Sequence, residues 1–279
     1  MWQLTKIELF KIFSKPRSYI GFVAITAIVT IIQIALYADG QSYWDFLIQS
    51  LDESFQIENL VFNGNMVCFI VLQTLIVQMP LLVALVSGDA LSGESASGTI
   101  RSLLTKPIAR GKILWAKLFA CEIYTFLLVL WLGILAWIVS LTIFGMGDLV
   151  VLKSDSLNII RSADTAWRFI SAFGIAFLSL SVVVTLSILL SAFSDNSIAP
   201  IIITMSIIVL FTIIGTFDLP FFNYVKPFLF TTHMIIWRNF FDSPLPLNQI
   251  VISISILVLH LILFVSMTFY HFKRKDITQ

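Results

Sequence analysis

Long apolar runs separated by short charged stretches are the dominant pattern of the chain. A membrane-spanning helix needs about 20 consecutive apolar residues, and six intervals reach that length. The pattern therefore predicts one all-α membrane domain over residues 1–279. Its transmembrane helices are predicted at residues 18–38, 66–88, 118–145, 169–193, 197–217 and 249–271.

The stretch before the first span, residues 1–16, predicts a helix of a different kind. At about 100° per residue, Trp2 and Phe10 share one side, whereas Glu8 and Lys11 face away. This pattern is typical of an amphipathic helix lying in the membrane interface. A basic anchor that holds the first span in place would need no further function.

An aromatic segment lies between spans five and six. Residues 218–247 are apolar, but they are too few to cross the membrane twice, and Pro227, Pro244 and Pro246 break them into short pieces. Aromatic side chains concentrate at the boundary between lipid and water. We therefore expect short interfacial or re-entrant helices, which would cap the bundle or shape an outer exit.

Composition and charge agree with a membrane protein. The chain is 58% hydrophobic and 12% charged, whereas soluble domains carry about 25% charged residues. Most Lys and Arg residues lie before span one, between spans two and three, or at the C-terminus. Short basic loops stay in the cytoplasm, so both termini are predicted to be cytoplasmic. We expect a multi-pass protein of the bacterial cytoplasmic membrane, in contact with the lipid bilayer and without a nucleic-acid partner.

The sequence offers no catalytic or metal-binding motif. It has no Gly-x-x-x-x-Gly-Lys-Ser/Thr phosphate loop and no Gly-x-Ser-x-Gly nucleophile elbow. His233, His260 and His271 are scattered, and Cys68 and Cys121 lack the spacing of metal ligands. We expect a non-catalytic chain that binds no cofactor or metal itself.

A few polar residues lie inside the predicted spans. Gln33, Gln73 and Gln78 are amides, which commonly bridge neighbouring helices within a bilayer. Ser181 and Thr185 belong to a face of small residues in span four. Such a face favours close helix packing, and a polar pathway wall or a subunit seam is the alternative.

Glu122 is the ionisable residue at the start of span three. It lies only a few residues past Lys117. We expect a boundary residue that is paired with a lysine or reached by water, with a proton-relay role as the alternative.

Residues 89–117 are the longest charged segment between spans, and we expect the working contact there. Short helices are predicted, broken near Gly98 and Pro107, with the last one running into span three. Their apolar positions alternate with basic residues. A short amphipathic helix of this kind fits a groove of a partner protein, or it rests on lipid headgroups.

The order of residues in this segment resembles the signature of type-2 ABC transporter permeases. Within that class it is most similar to the subfamily that includes the nitrous oxide reductase maturation permease. Members often carry two or three consecutive acids before the Gly-Thr pair, whereas only Glu94 is acidic here, and Ala109 stands where a serine is usual. The matching residues are Asp89, Gly93, Glu94, Gly98, Thr99, Leu103, Leu104, Pro107, Arg110 and Lys117.

The resemblance implies a half-transporter, in which two permease chains pair and two separate ATPase chains dock beneath them. ATP and Mg would be bound by the ATPase. The resemblance assigns coupling to the ATPase to Asp89, Glu94, Gly98, Thr99, Arg101, Pro107, Arg110 and Lys117. From their charge, Arg101, Arg110 and Lys117 are expected to contact the partner or lipid.

The function implied is that of an ABC exporter permease, which couples ATP hydrolysis to outward movement of a substrate. The first alternative is a mechanical relay to an extracytoplasmic protein through the acidic loop at residues 39–58. The second is an intramembrane enzyme. The sequence leaves open the substrate, and whether the permease is a homodimer or a heterodimer.

Overall fold

The computed structural model describes residues 1–49, 62–75, 78–99, 108–152 and 157–274. Five of its helices are long and apolar enough to cross a membrane: Arg17–Gly40, Arg110–Phe144, Ser162–Phe193, Ala199–Thr216 and Leu247–Arg274. Two shorter helices, Gly64–Leu75 and Gln78–Ser87, meet at a bend of 56° and would add a sixth span if they cross together. The chain is a mostly helical, multi-pass membrane protein.

The helices are numbered here in chain order. The first half contains α1 (Trp2–Phe13), α2 (Arg17–Gln49), α3 (Gly64–Leu75), α4 (Gln78–Ser87), α5 (Ser92–Ala96), α6 (Arg110–Gly133), a π-helical segment (Ile134–Val139) and α7 (Ser140–Phe144). The second half contains α8 (Ser162–Phe193), α9 (Ala199–Thr216), α10 (Pro220–Val225), a 3₁₀ helix (Lys226–Phe228), α11 (Phe230–Met234), a second 3₁₀ helix (Ile235–Phe241) and α12 (Leu247–Arg274).

A small β-hairpin, which the sequence analysis does not predict, is added to the mostly helical fold. Strands β1 (Leu149–Leu152) and β2 (Leu157–Ile160) pair antiparallel, with Leu149 opposite Ile160. Their β-branched residues favour a pleated, half-buried surface over a helix. The amide of Asn65 donates to the carbonyl of Gly147 at 2.8 Å, which fastens the approach to the hairpin against α3.

Helix α8 forms the centre of the bundle. About 67% of its apolar stretch is buried inside the protein, against 28% or less for the other four long helices. It packs against α4, α6, α9 and α12. Ser181 and Thr185 are both buried on it, in agreement with close packing of small side chains.

Polar side chains form hydrogen bonds between helices and so fix their relative positions. The amide of Gln33 on α2 donates to the carbonyl of Leu135 and to the hydroxyl of Ser140, each at 2.9 Å. It bridges two helices, as the sequence predicted for the buried amides.

The segment between α9 and α12 contains the predicted short helices. Arg168 of α8 holds this segment against the bundle by donating to the carbonyl of Phe240 at 2.7 Å.

Gly64 at the start of α3 packs directly against the backbone of α7. A Cβ atom added there would lie 2.6 Å from the carbonyl oxygen of Ser140 and 2.7 Å from the backbone of Leu141. Gly64→Ala should therefore destabilise the protein by about 1–3 kcal/mol, because backbone cannot move aside cheaply. Gly174→Ala is the matched control, since nothing lies within 4 Å of its added Cβ.

Thermal unfolding in detergent measures this difference. Cys68 and Cys121 are the only two cysteines and both are buried, so a thiol-reactive dye reports unfolding. Equal unfolding temperatures for the two variants would contradict the tight α3–α7 contact.

Candidate functional site

An ion-pair cluster joins three elements at one end of the bundle. Lys117 on α6 places its ammonium 2.9 Å from Glu8 on α1 and 2.7 Å from Glu94 on α5. Lys11 on α1 completes a ring, with its ammonium 2.7 Å from Glu8 and 2.8 Å from Glu94. Each carboxylate thus bridges two lysines, so the three helices are held by four mutually dependent contacts.

Asp89 forms the second half of the site. It lies between α4 and α5 and is only 5% exposed. Its carboxylate accepts from Lys15 at 2.8 Å and also from Arg17 and from the hydroxyl of Ser197. Asp89 therefore ties the start of α2 to the turn between α8 and α9.

Local backbone chemistry positions the two carboxylates. Gly93 allows the Asp89 side chain to lie directly against the backbone, because a Cβ on Gly93 would collide with that carboxylate. The hydroxyl of Ser191 on α8 accepts from the amides of Leu91 and Ser92, at 3.1 and 2.8 Å. These amides begin α5 and have no partner within it, so Ser191 fixes α5 against the bundle.

Electrostatics favour the charged forms of Glu94 and Lys11. Burial would raise the pKa of Glu94, but the charge of Lys117 and hydrogen bonds from Lys11 and Lys117 outweigh it and hold the pKa below its ordinary value. Burial would likewise lower the pKa of Lys11, but hydrogen bonds to Glu8 and Glu94 raise it. Both shifts favour an ionised Glu94 and a protonated Lys11 around neutral pH.

A cavity of about 40 Å³ lies inside the cluster, lined by charged residues of α1, α5 and α6. One oxygen of Glu94, Oε2, is buried without a hydrogen-bond partner among the described residues. The cavity exceeds the minimum of about 10–15 Å³ that one water occupies. A bound water would satisfy this oxygen, and the same space leaves room for the ion pairs to rearrange.

The structure separates the two faces of α1 in the way the sequence pattern predicts. Glu8, on the polar face, is only 9% exposed and packs towards α6. Phe10 is 75% exposed on the other side. Lys117 accounts for this orientation. Leaving its buried ammonium without carboxylate partners would cost more free energy than leaving Phe10 without protein contacts.

The residues of the predicted coupling segment separate into three groups. Asp89, Glu94 and Lys117 come together in the cluster. Gly98 has a positive φ of 68° and ends the turn after α5, which confirms the predicted break, and Thr99 bonds to the carbonyl of Glu94 at 3.3 Å. Arg101 and Pro107 lie outside the described residues.

Arg110 stands apart from the cluster. It begins α6, which continues into the third span as predicted. Its guanidinium donates to the backbone carbonyl of Lys273 at 3.4 Å. It therefore connects the start of α6 with the end of α12.

The expectation for Lys117 is corrected. It was expected to contact a partner or lipid, but its side chain is only 3% exposed and is enclosed by acids. Glu122 was expected either to pair with a lysine or to be reached by water. Among the described residues no lysine pairs with it, because Glu8 and Glu94 already occupy Lys117, and Glu122 accepts a hydrogen bond from Ser181 at 2.7 Å.

The other polar candidates in the spans do not join a common site. Gln73 is exposed on α3, and Gln78 on α4 is half-buried, with its Oε1 lacking a partner in the described ranges. Thr185 donates to the backbone carbonyls of Ser181 and Val182 on its own helix. Of the pathway candidates in the described residues, Glu122 and Ser181 are brought together from two different helices.

Sequence reasoning missed five members of the site: Glu8, Lys11, Lys15, Arg17 and Ser197. Glu8 carried a weak signal, since it is the single acid among the basic residues that precede the first span. Ser197 carried none, because it lies 108 residues from its partner Asp89. Such a contact depends on the bundle bringing two turns together.

Comparison with known proteins gives the family of the chain. Residues 26–278 match the family described as "Protein of unknown function (DUF2705)". The chain belongs to this family. The match covers four of the five long helices completely and the first one from residue 26 onward, and it includes Asp89, Glu94 and Lys117 of the cluster. Helix α1 of this DUF2705 protein lies before it. No curated protein matches the sequence.

Removing the ammonium of Lys117 should lower the free energy of unfolding substantially. Lys117→Met leaves Glu8 and Glu94 buried with Lys11 as their only cation in the ring, which we expect to destabilise the protein by about 3–5 kcal/mol. Lys112→Met is the matched control, since Lys112 is exposed on the same helix. Unfolding by a denaturing detergent in mixed micelles measures both, and similar losses would contradict a buried ring.

The lowered pKa of Glu94 makes a pH prediction. A carboxylate whose pKa falls on folding stabilises the folded state above its ordinary pKa of 4.5 and loses this contribution as pH falls through the folded value. The wild type should therefore be more stable than Glu94→Gln at neutral pH, and the difference should shrink below pH 4.5. Thermal unfolding followed by tryptophan fluorescence tests this, and a difference independent of pH would contradict it.

Proposed function

We propose that the chain is the transmembrane permease subunit of an ATP-driven ABC exporter. Two copies would pair, and each would receive a separate ATPase chain. The observation that supports this proposal is the ion-pair cluster, because it connects a short helix at the end of the bundle with two longer elements. A displacement of α5 would reach α1 through Lys11 and α6 through Lys117.

The exposed surface next to the cluster is suited to contact the ATPase. Residues 96–99 follow Glu94 directly and are all exposed. They form a small protruding turn, whereas the charged side chains beside them point inward to the ring. In this proposal the ATPase pushes on the turn, and ATP-driven closure biases one packing of the bundle over another.

Buried ion pairs would make the response of the bundle concerted. Separating one acid from its lysines leaves an uncompensated buried charge, which costs about 3–5 kcal/mol. Helices α1, α5 and α6 would therefore move as one unit when α5 is pushed. Asp89 would extend this unit to α2 through Arg17 and to the α8–α9 turn through Ser197.

The proposed topology has six spans, with the bent α3–α4 pair as the second and both termini in the cytoplasm. Basic side chains support this orientation. Lys6, Lys15 and Lys112 are exposed near the cluster, and Lys273 lies beside Arg110 at the same end. Short basic segments remain on the cytoplasmic side, so the cluster would face the ATPase. The membrane would be the bacterial cytoplasmic membrane.

A pull-down of the tagged protein in mild detergent tests the proposal. The wild type should bring one P-loop ATPase per permease chain. Ala96→Arg should abolish this, because a long charged side chain at the exposed turn would block docking. Met146→Arg is the control, since Met146 is 80% exposed just past Phe144, where the long helix that begins at Arg110 ends.

The outcomes separate the alternatives. A permease that purifies alone, even with nucleotide present, would overturn the proposal. An additional extracytoplasmic protein in the pull-down would favour the mechanical relay over export. Retention of the ATPase by Ala96→Arg would place the docking surface elsewhere.

A further inference from the structure

Glu122 is a membrane-embedded carboxylate that the cluster does not use. It follows Lys117 by five residues on α6, or about 7 Å along the helix axis. Its helix continues to Phe144 as an apolar span, so Glu122 lies where α6 passes from the charged cluster into lipid. Ionisable residues at such depth are costly to keep and mark binding or transport sites more often than packing sites.

The charge of Glu122 is unbalanced within the described residues. The hydroxyl of Ser181 donates to its Oε2 at 2.7 Å. The nearest lysine along the helix, Lys117, is held by Glu8 and Glu94. On the facing helix, residues 169–193 include no charged side chain. A carboxylate with a single neutral donor is a site for an external cation or proton.

Aromatic residues lie within about one helical turn of this carboxylate and of its partner Ser181. Phe119 and Phe126 lie about one turn before and after Glu122 on α6, and they are 47% and 50% exposed. Phe177 lies one turn before Ser181 on α8, and its ring meets that of Phe126 edge-on at 5.7 Å. The faces of aromatic rings attract cations, and their area holds apolar substituents.

We propose that Glu122, Ser181 and the three phenylalanines form a binding site for a hydrophobic organic cation that enters from the bilayer between α6 and α8. The carboxylate would balance the positive charge, while the rings hold the apolar groups around it. A small inorganic cation fits less well, because Mg²⁺ and Ca²⁺ require six or more oxygen ligands. That such a cation is also the exported cargo rests on the proposed function, whereas its binding does not.

Two ions of the same shape and opposite charge provide the test. Tetraphenylphosphonium is a permanent cation, and tetraphenylborate is the matched anion. Saturable binding of each is measured by equilibrium dialysis against the purified permease in neutral detergent, without ATPase or nucleotide. The wild type should bind the cation, and Glu122→Gln should weaken cation binding by about tenfold or more without weakening anion binding.

Two further variants separate a binding site from a change in folding. Phe126→Leu should weaken cation binding about threefold to tenfold, because a cation–π contact is lost while an apolar side chain remains. Asp218→Asn should leave it unchanged, since that carboxylate is exposed outside the spans and paired with Lys226. A thiol-reactive dye at the two buried cysteines verifies that each variant is folded.

The proposal is overturned if the wild type shows no saturable cation binding, or if Glu122→Gln weakens both ions equally. These results do not depend on an ATPase. If an ATPase co-purifies but the cation does not bind, the cation site is rejected and the permease proposal is retained. If the cation binds but no ATPase co-purifies, the cation site is retained and the permease proposal is rejected.

Discussion

A buried ammonium requires carboxylate partners, and this requirement organises one end of the protein. Lys117 on α6 is enclosed by the bundle, and Glu8 and Glu94 converge on it from two other elements. Leaving the lysine unpaired would cost more than exposing apolar surface. This explains why α1 turns a polar face inward and leaves Phe10 exposed, which lipid at the membrane interface would accommodate.

The two carboxylates that follow α4, Asp89 and Glu94, connect different parts of the bundle. Glu94 joins α1 and α6 through lysines, whereas Asp89 joins the start of α2 to the α8–α9 turn through Arg17 and Ser197. The five-residue helix α5 is too short to be stable alone. Its position depends on these contacts and on Ser191 of α8, so a force applied to it would be distributed over most of the bundle.

Glu122 is the counterpart of Lys117 one and a half turns further along α6. Lys117 is compensated by Glu8 and Glu94 inside the protein, whereas within the described ranges the contact of Glu122 is the hydroxyl of Ser181. The difference follows from the neighbouring helices: α1 and α5 supply acids next to Lys117, but α8 supplies only uncharged side chains next to Glu122. A charge that the fold leaves uncompensated in lipid is available for a ligand, and this is the basis of the proposed cation site.

The sequence alone determined the class of fold, because long apolar runs cannot be soluble and six of them appear. It also determined the break at Gly98 and the continuous helix from Arg110, since glycine and proline act locally. Tertiary structure decided the rest. The ring around Lys117 joins residues more than 80 positions apart, and the hairpin at Leu149–Ile160 is favoured by local burial that no span-length pattern records. Charge pairing across helices depends on which faces meet, and that is set by packing of the whole bundle.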